Sequence, residues 1–534
     1  MAAWANMSKR LAARLTAHPR WCALVLGALT ALGFEPLTLW PLTLLGLAGL
    51  LGLLTRAATW QQASLIGWLF GLGHFTIGNG WIATAFTYQA QMPGWLGWVA
   101  VVALALYLAV YPMLAALGGW LLMRGLDSAR GYSLMLGFAG CWILAEWLRS
   151  WVFTGYAWNP LAMAALGGFA RPGLAAVAPW LGTYALSGLI ALLGGAWFAA
   201  WQRGKRDAIG AALFLVPAAL FLLPAFGHDQ REGHLPFTLV QPDIRQQDLD
   251  DPSQFEKQFV KTALLTLPRH PGEQRIVLWP ESGVPDYLRP GYPALFYQQT
   301  TFAADPQAAR QRIAQVVGKG SVLLTGAVDL EMRGSVVAGA RNSVTALDDG
   351  GEIRGGYAKA HLVPYGEYLP LRFILEPLGA ARLVPGSLDF WPGPGPRTLE
   401  LGLWGRAGVQ VCYEIVFSGQ VVDRAHRPDY LFNPSNDGWF GTWGPPQHLA
   451  QARLRAIEEG LPVLRATTTG ISAVIDADGV VRQFIPRHQA ARLDGLVPPA
   501  HAPTLFARTG NALGLAWALV LLVLSVVASR RSQR

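Results

Sequence analysis

The sequence predicts a multi-pass α-helical membrane protein of about eight spans, with an α/β domain inserted before the last span. Three observations predict it. The chain has 534 residues, of which 52% are hydrophobic and only 14% charged, with 22 Trp, a composition too apolar for a soluble protein of this length. The acids are segregated: 29 of the 33 lie in 228–510, together with 27 of the 42 bases, which leaves that segment two charges negative. Outside it, 15 bases face four acids (Glu35, Asp127, Glu146 and Asp207), a surplus of +11 that accounts for the net +9 of the chain. Finally, the two regions differ in period, with long apolar runs outside 228–510 and short β-branched runs alternating with helical stretches inside it.

Crossing the hydrocarbon takes about 20 apolar residues rising about 1.5 Å each. The runs that qualify are 21–34, 39–55, 63–86, 95–123, 132–151, 180–201, 208–226 and 512–528. The first two are short and separated by Glu35, Pro36 and Pro41, so they also read as one interrupted helix. Charge decides for two spans. Lys9, Arg10, Arg14 and Arg20 precede the pair and Arg56 follows it; basic loops mark the cytosolic side, so the chain must cross twice between them. The same rule places Arg124 and Arg130, then Arg203, Lys205 and Arg206, then Arg530, Arg531 and Arg534 on the cytosolic side, with only Arg149 and Arg171 opposed. Both termini are therefore expected in the cytosol and 228–510 outside it. The expected domains are 1–227, a membrane domain of seven helices; 228–510, an extracytoplasmic catalytic domain; and 511–534, the last helix with a basic tail.

These bases sit in short loops between apolar runs, so the basic pI reports membrane orientation and nucleic-acid binding is not expected. Cys22 and Cys141 lie in apolar runs and no CxxC or Cys/His cluster occurs, which excludes a disulfide scaffold and a zinc site. No cleavage site follows the basic start, so the first helix is expected to stay. Within 228–510, strands are expected at 237–241, 275–279, 321–325, 408–412 and 430–433, a helix at 447–460 and a Pro- and Gly-rich loop at 391–397.

Three stretches each put a reactive group at a strand-to-loop edge, where a rigid sheet holds it and loops admit substrate. Leu278-Trp279-Pro280-Glu281-Ser282 offers a carboxylate, Tyr357-Ala358-Lys359-Ala360-His361 a lysine, and Val409-Gln410-Val411-Cys412-Tyr413-Glu414 a thiol. Together they make chemical sense: Glu281 can take the thiol proton, and the Lys359 ammonium stabilises both a thiolate and the oxyanion of a tetrahedral intermediate. Taken singly, Cys412 would read as a small core hydrophobe, and Glu281 and Lys359 as solvated charges. The set reads as nucleophilic catalysis.

This Glu, Lys, Cys order resembles that of the carbon–nitrogen hydrolase (nitrilase) superfamily, which implies an αββα sandwich. The closer resemblance is to its membrane branch, the apolipoprotein N-acyltransferases. It rests on WPES at 279–282, HLVPYGEYLP at 361–370, VCYE at 411–414 and NPSNDGWFG at 433–441, and on eight spans with the domain inserted before the last. Tyr365 stands where Phe is common in that family. The resemblance implies a ping-pong reaction with Glu281, Lys359 and Cys412 as the catalytic triad. Cys412 takes the sn-1 acyl chain of a membrane phospholipid as a thioester and passes it to the α-amine of an N-terminal diacylglyceryl-cysteine. It further implies a bacterial inner-membrane protein with a periplasmic catalytic domain, needing no cofactor or metal; a monomer is expected.

Glu367 matches a second functional Glu of the family, placed to orient Lys359 or steady the intermediate, and Tyr413 and Glu414 match positions implicated in activity. Glu414 also reads as an acid at a helix start. His361 is expected to be structural, and Asn436, Asp437 and Trp439 to shape a loop beside the site. Glu146 and Arg149, three apart on one helix face, read either as a functional intramembrane pair or as snorkelling charges. The segment 371–378 reads either as a lid dipping into lipid or as an amphipathic core piece. His74 and Asn79 are expected to be satisfied polar residues. Two other functions compete: a tethered amidase that hands its acyl group to water, and a sensor or transporter with an inert ligand-binding domain, against which the intact triad argues.

Overall fold

The computed structural model describes residues 18–88, 93–124, 132–203, 207–222, 231–375, 377 and 389–531. The chain divides into two compact units, one of Met1–Ala83, Pro93–Phe226 and Thr509–Arg534, the other of Thr84–Met92 and Gly227–Arg508.

The first unit is helical: α1 (Pro19–Ala31), α2 (Trp40–Leu54), α3 (Trp60–Gly78), α4 (Trp95–Leu108), α5 (Val110–Arg124), α6 (Tyr132–Arg149), α7 (Ala178–Arg203), α8 (Ala208–Leu222) and a closing helix Asn511–Arg531. Proline in the first turn starts α1 and α2, where its missing N–H costs nothing. At α3, the Thr59 side chain accepts from Gln62 N while Gln62 Oε1 accepts from Ala58 N at 2.8 Å, a reciprocal cap. Helices α1 and α3 touch backbone to backbone, since a Cβ on Gly27 would stand 1.9 Å from the Phe70 carbonyl oxygen; small residues at such crossings are the membrane mode of packing. Among the described residues, three stretches are by themselves long and apolar enough to cross a membrane: Trp95–Arg124, Leu174–Arg203 and Asn511–Arg530. Trp40–Leu54 and Ala208–Leu222 are apolar but shorter. The flanking bases Lys9, Arg10, Arg14, Arg130, Lys205, Arg206 and Arg534 lie outside the described residues.

Ser133 of α6 and Ser525 of the closing helix clasp reciprocally, each hydroxyl donating to the other's carbonyl at 3.1 and 2.8 Å. Glu146 and Arg149 are both buried, so neither snorkels. Each has a backbone partner: Glu146 Oε1 accepts from Leu161 N at 2.8 Å and also from the Trp142 indole Nε1 at 2.9 Å, while Arg149 Nη1 donates to the Trp158 carbonyl at 2.8 Å and its guanidinium lies over the Phe75 ring. They tie down the irregular segment after α6. Asn79 Oδ1 accepts from Tyr156 Oη at 2.8 Å, and His74 is packed among Phe34, Phe70 and Phe75.

The second unit holds two six-stranded sheets. Strands β1 (Pro236–Gln241), β2 (Ile276–Leu278), β3 (Val322–Arg333), β4 (Val336–Asp348), β5 (Ile353–Ala358) and β12 (Ala491–Leu496) form the first, in the order β12-β1-β2-β3-β4-β5. The second runs β11-β10-β9-β8-β7-β6, from β6 (Thr398–Glu400), β7 (Arg406–Val409), β8 (Tyr430–Ser435), β9 (Val463–Thr467), β10 (Ser472–Ile475) and β11 (Val481–Ile485). Each has a parallel centre, β1-β2-β3 and β7-β8-β9, flanked by antiparallel strands. Parallel strands are covered on both faces, so they read as continuous apolar runs such as Ile276-Val277-Leu278, without alternation.

Helices α9 (Phe255–Thr266) and α10 (Pro306–Val317) cover the first sheet, where Ile313 and Val317 pack with Val240, Val277, Trp279 and Leu323. Helix α11 (Gly444–Glu459) belongs with the second. The sheets meet at β1 and β9, where Gln241 Oε1 accepts from Thr467 Oγ1 at 2.9 Å and Ser472 Oγ at 2.6 Å. The strands expected from the sequence lie in β1, β2, β3, β7 and β8, with one correction. The run 408–412 does not end as strand at the thiol: β7 stops at Val409, and Cys412 opens a short 3-10 turn, Cys412–Val416.

Candidate active site

The three sequence stretches converge at one end of the two sheets' parallel strands. Strand β2 hands the chain to Pro280 and Glu281, β5 ends one residue before Lys359, and β7 ends three residues before Cys412. All three side chains are buried, Glu281 at 6%, Lys359 at 1% and Cys412 at 5% exposure. Non-glycine residues in the left-handed backbone region mark each loop: Ser282 at φ +54°, Tyr365 at +64° and Cys412 itself at +51°. Such residues persist only where surrounding contacts over-determine them. Gly326 makes room for the first, since a Cβ there would stand 2.6 Å from Ser282 N and 2.7 Å from Glu281 Cα.

Lys359 Nζ sits between two carboxylates, 2.9 Å from Glu367 Oε2 and 3.6 Å from Glu281 Oε1. Its hydrogen bond therefore goes to Glu367, and the Glu281 contact is charge alone at that distance. Asn342 of β4 bridges both acids, donating from Nδ2 to Glu281 Oε1 at 2.7 Å and to Glu367 Oε1 at 2.9 Å. Backbone amides hold the other oxygens: Asn436 N donates to Glu281 Oε2 at 2.7 Å and Val363 N to Glu367 Oε2 at 2.8 Å. Burial alone would push the Lys359 ammonium down, but Glu367, Glu281 and Cys412 outweigh it, and its pKa is raised. The amine stays protonated. Burial pushes the Cys412 thiol up, and Glu281 adds to this against the opposing pull of Lys359. The resting nucleophile is thus a neutral thiol, which requires a proton acceptor on attack.

Glu414 is a clamp. Its Oε1 accepts from Tyr357 Oη and Ala360 N at 2.7 Å and from His361 N at 3.1 Å, while Oε2 accepts from Val411 N at 2.7 Å. One carboxylate thus ties the lysine loop to the cysteine loop. Burial raises its pKa to about 7 against these hydrogen bonds. The Tyr413 ring packs edge-on to Phe417 at 5.1 Å, and His361 stacks on Phe417 at 3.6 Å. Of the 371–378 segment, Leu371 and Phe373 are exposed, Phe373 at 77%; residues 376 and 378 lie outside the described residues.

Sequence reasoning missed three participants. His448, on α11, points Nε2 at the Cys412 carbonyl at 3.0 Å. Behind it, Arg465 Nη2 lies 3.0 Å from His448 Nδ1 and bonds both oxygens of Asp437 at 2.8 and 2.7 Å. Burial and Arg465 hold the imidazole pKa down against the opposing pull of Asp437; Nε2–H donates to the Cys412 carbonyl, while Nδ1 lies 3.0 Å from Arg465 Nη2 and 3.1 Å from Asp437 Oδ1. Asp437, expected to shape a loop, is fully buried in this ion pair. Asn342 is the third.

Residues 239–489 match the carbon-nitrogen hydrolase family and residues 26–196 the apolipoprotein N-acyltransferase N-terminal domain. An apolipoprotein N-acyltransferase from Rhodopseudomonas palustris is 33% identical over 95% of this chain and 94% of its own length. Those from Bradyrhizobium diazoefficiens and Caulobacter vibrioides are each 34% identical over 95% of this chain, covering 95% and 94% of theirs. The chain belongs to the apolipoprotein N-acyltransferase family. As a member of that family it is an acyltransferase of lipoprotein biosynthesis, carrying a nitrilase-like domain of two sheets. Among solved structures, an amidase from Nesterenkonia sp. AN1 is 19% identical over 54% of this chain and 95% of that one, with a TM-score of 0.32. A carbon-nitrogen hydrolase from Helicobacter pylori is 17% identical over 49% and 88%, at 0.35.

Proposed function

We propose that the chain transfers the sn-1 acyl chain of a membrane phospholipid to the N-terminal α-amine of diacylglyceryl-cysteine apolipoproteins, through a Cys412 thioester. The observation that carries this reading is the buried cluster of Glu281, Lys359 and Cys412, in which a neutral thiol lies within the field of a carboxylate and an ammonium. In the first half-reaction Glu281 takes the Cys412 proton and Sγ bonds the ester carbonyl carbon. The ester C–O bond then breaks, and the departing lysophospholipid oxygen takes the proton back from Glu281. In the second, the acceptor amine attacks the thioester carbonyl, the C–S bond breaks, and the amine proton returns to sulfur through Glu281. Lys359 stabilises the oxyanion of both tetrahedral intermediates, an effect worth about 10²–10³ in rate for one well-placed donor. Glu367 orients Lys359, Glu414 locks the loops that carry Lys359 and Cys412, and Tyr413 packs behind the nucleophile.

In this reading eight spans surround the insertion, in three parts: 1–227 with seven helices, 228–510 as the catalytic domain in the periplasm, and 511–534 as the last helix and a basic tail, with both termini cytosolic. Family membership supports an inner-membrane location, and the charge asymmetry of the loops supports the orientation. The test is incubation of the membrane-reconstituted protein with acyl-labelled phospholipid. Label should attach to the protein, leave with hydroxylamine and be absent from Cys412→Ser; label persisting in that variant would overturn the assignment.

A further inference from the structure

We propose that the cavity beneath the β11–β12 turn is a phosphate-binding subsite that seats the phosphodiester of the glycerophospholipid donor, a proposal that rests on the acyl-transfer reading above. The cavity has a volume of about 360 Å³ and is lined by Arg245, Arg487 and His488, together with Asp437 and Gly438. It adjoins the reacting centre through one loop: Asp437 and Gly438 follow Asn436, whose amide holds Glu281. In a glycerophospholipid only the glycerol backbone separates the sn-1 ester from the phosphate, so a phosphate site belongs close to the nucleophile.

Among the described residues Arg487 makes no ion pair, while Arg245 is exposed at the cavity mouth and His488 Nδ1 lies 4.0 Å from Asp243 Oδ1 and 3.1 Å from Thr469 Oγ1. Gln241 Nε2, buried below, donates to the Pro486 and Gln489 carbonyls at 2.9 and 3.0 Å, and His488 N donates to the Thr469 carbonyl at 3.2 Å. That pins a turn whose His488 adopts φ +57°. Arg487 is half-buried; Nη1 donates to the Thr442 carbonyl at 3.3 Å, whereas its buried Nε has no hydrogen-bond partner among the described residues. A buried donor left in this way is costly unless an acceptor meets it. Asp437, in the cavity wall, is engaged by Arg465 through both oxygens, and Asp243, beside His488, accepts from Thr469 Oγ1 at 2.7 Å. Permanently charged, forked donors are the residue type that binds phosphate oxygens.

The test uses the full chain in detergent. First, sn-glycerol 3-phosphate is titrated against Cys412→Ala and Cys412→Ala/Arg487→Gln, reading the fluorescence of the tryptophans, among which Trp439 stands one residue from the cavity wall. Binding that weakens about tenfold to a hundredfold in the double variant is expected for the loss of one charge-assisted contact; equal binding by both proteins, or by neither, overturns the subsite. Second, kcat/KM for acyl-enzyme formation is compared between a short-chain phospholipid and a p-nitrophenyl ester of the same acyl chain. In Arg487→Gln and Arg245→Gln the phospholipid-to-ester ratio should fall at least about tenfold. Binding of glycerol phosphate with an unchanged ratio would mean a site for a free phosphate ester, and would overturn the headgroup assignment. Acylation that fails with every donor while glycerol phosphate still binds through Arg487 would instead overturn the Cys412 reading and leave the anion site standing.

Discussion

His448 Nε2 donates to the carbonyl oxygen of Cys412 at 3.0 Å, from a helix 36 positions further along the chain. The thiol-bearing residue is in the left-handed region, and this bond is one of the contacts that hold it there. His448→Ala removes that bond, leaving the carbonyl only its 3-10 partner within Cys412–Val416, and is expected to cost about 0.5–1.5 kcal/mol of stability for the lost hydrogen bond. It should also slow acyl-enzyme formation more than it raises the KM for donor, because the nucleophile is misplaced while the binding surface persists. A changed KM with an unchanged acylation rate would contradict the positioning role.

Removing Lys359 strands two buried carboxylates at once. Lys359→Met should therefore destabilise the second unit by about 3–5 kcal/mol and abolish acylation. The ammonium has a folded pKa above its ordinary 10.5, so its stabilising contribution is fully present below about pH 10.5 and is lost as pH rises beyond it towards the folded value. Alkaline unfolding followed by circular dichroism should show a steep loss above that pH in the wild type and a flatter one in Lys359→Met.

Glu414 behaves oppositely to the usual salt-bridged acid. Its pKa rises from 4.5 to about 7 on folding, so its protonation favours the fold below about pH 4.5, and that contribution disappears between pH 4.5 and 7. Glu414→Gln removes the titration but turns an NH₂ towards Val411 N–H or the opposite cluster of donors. A lower melting temperature at pH 7, with less change between pH 5 and 7 than in the wild type, is the expected result in a thermal scan.

Glu146 should matter through its acceptor oxygen. Glu146→Ala leaves Leu161 N and Trp142 Nε1 without a partner and should cost about 1–3 kcal/mol, seen as a lower melting temperature of the detergent-solubilised protein. Glu146→Gln keeps an acceptor and should retain most of it. Equal losses in the two variants would assign the effect to charge.

Glu281, Lys359 and Cys412 were legible because each is a reactive residue at the end of a local motif, with its neighbours on the same loop. Glu367, eight residues from Lys359, was legible only through the family resemblance of HLVPYGEYLP at 361–370. Asn342, His448 and Arg465 were not, because each lies in an ordinary amphipathic or strand context and reaches the site only through tertiary packing. Asn342 sits in β4, a strand of 13 residues paired with the 12-residue β3, and nothing in its local pattern separates it from a solvent-facing polar residue. The end of β7 was placed too far along because Gln410-Val411 continues a strand-like run, whereas the Val411 amide is diverted to Glu414 Oε2. Glu146 and Arg149 were visible as a pair, but besides the Trp142 indole their partners are the Leu161 amide and the Trp158 carbonyl downstream, which sequence spacing does not encode.

The reciprocal clasp of Ser133 and Ser525 joins positions 392 residues apart. During synthesis the sixth helix of the first unit is made before Gly227–Arg508 of the second unit, and its partner after it. A chain cut short before Ser525 would leave the buried Ser133 hydroxyl without this partner.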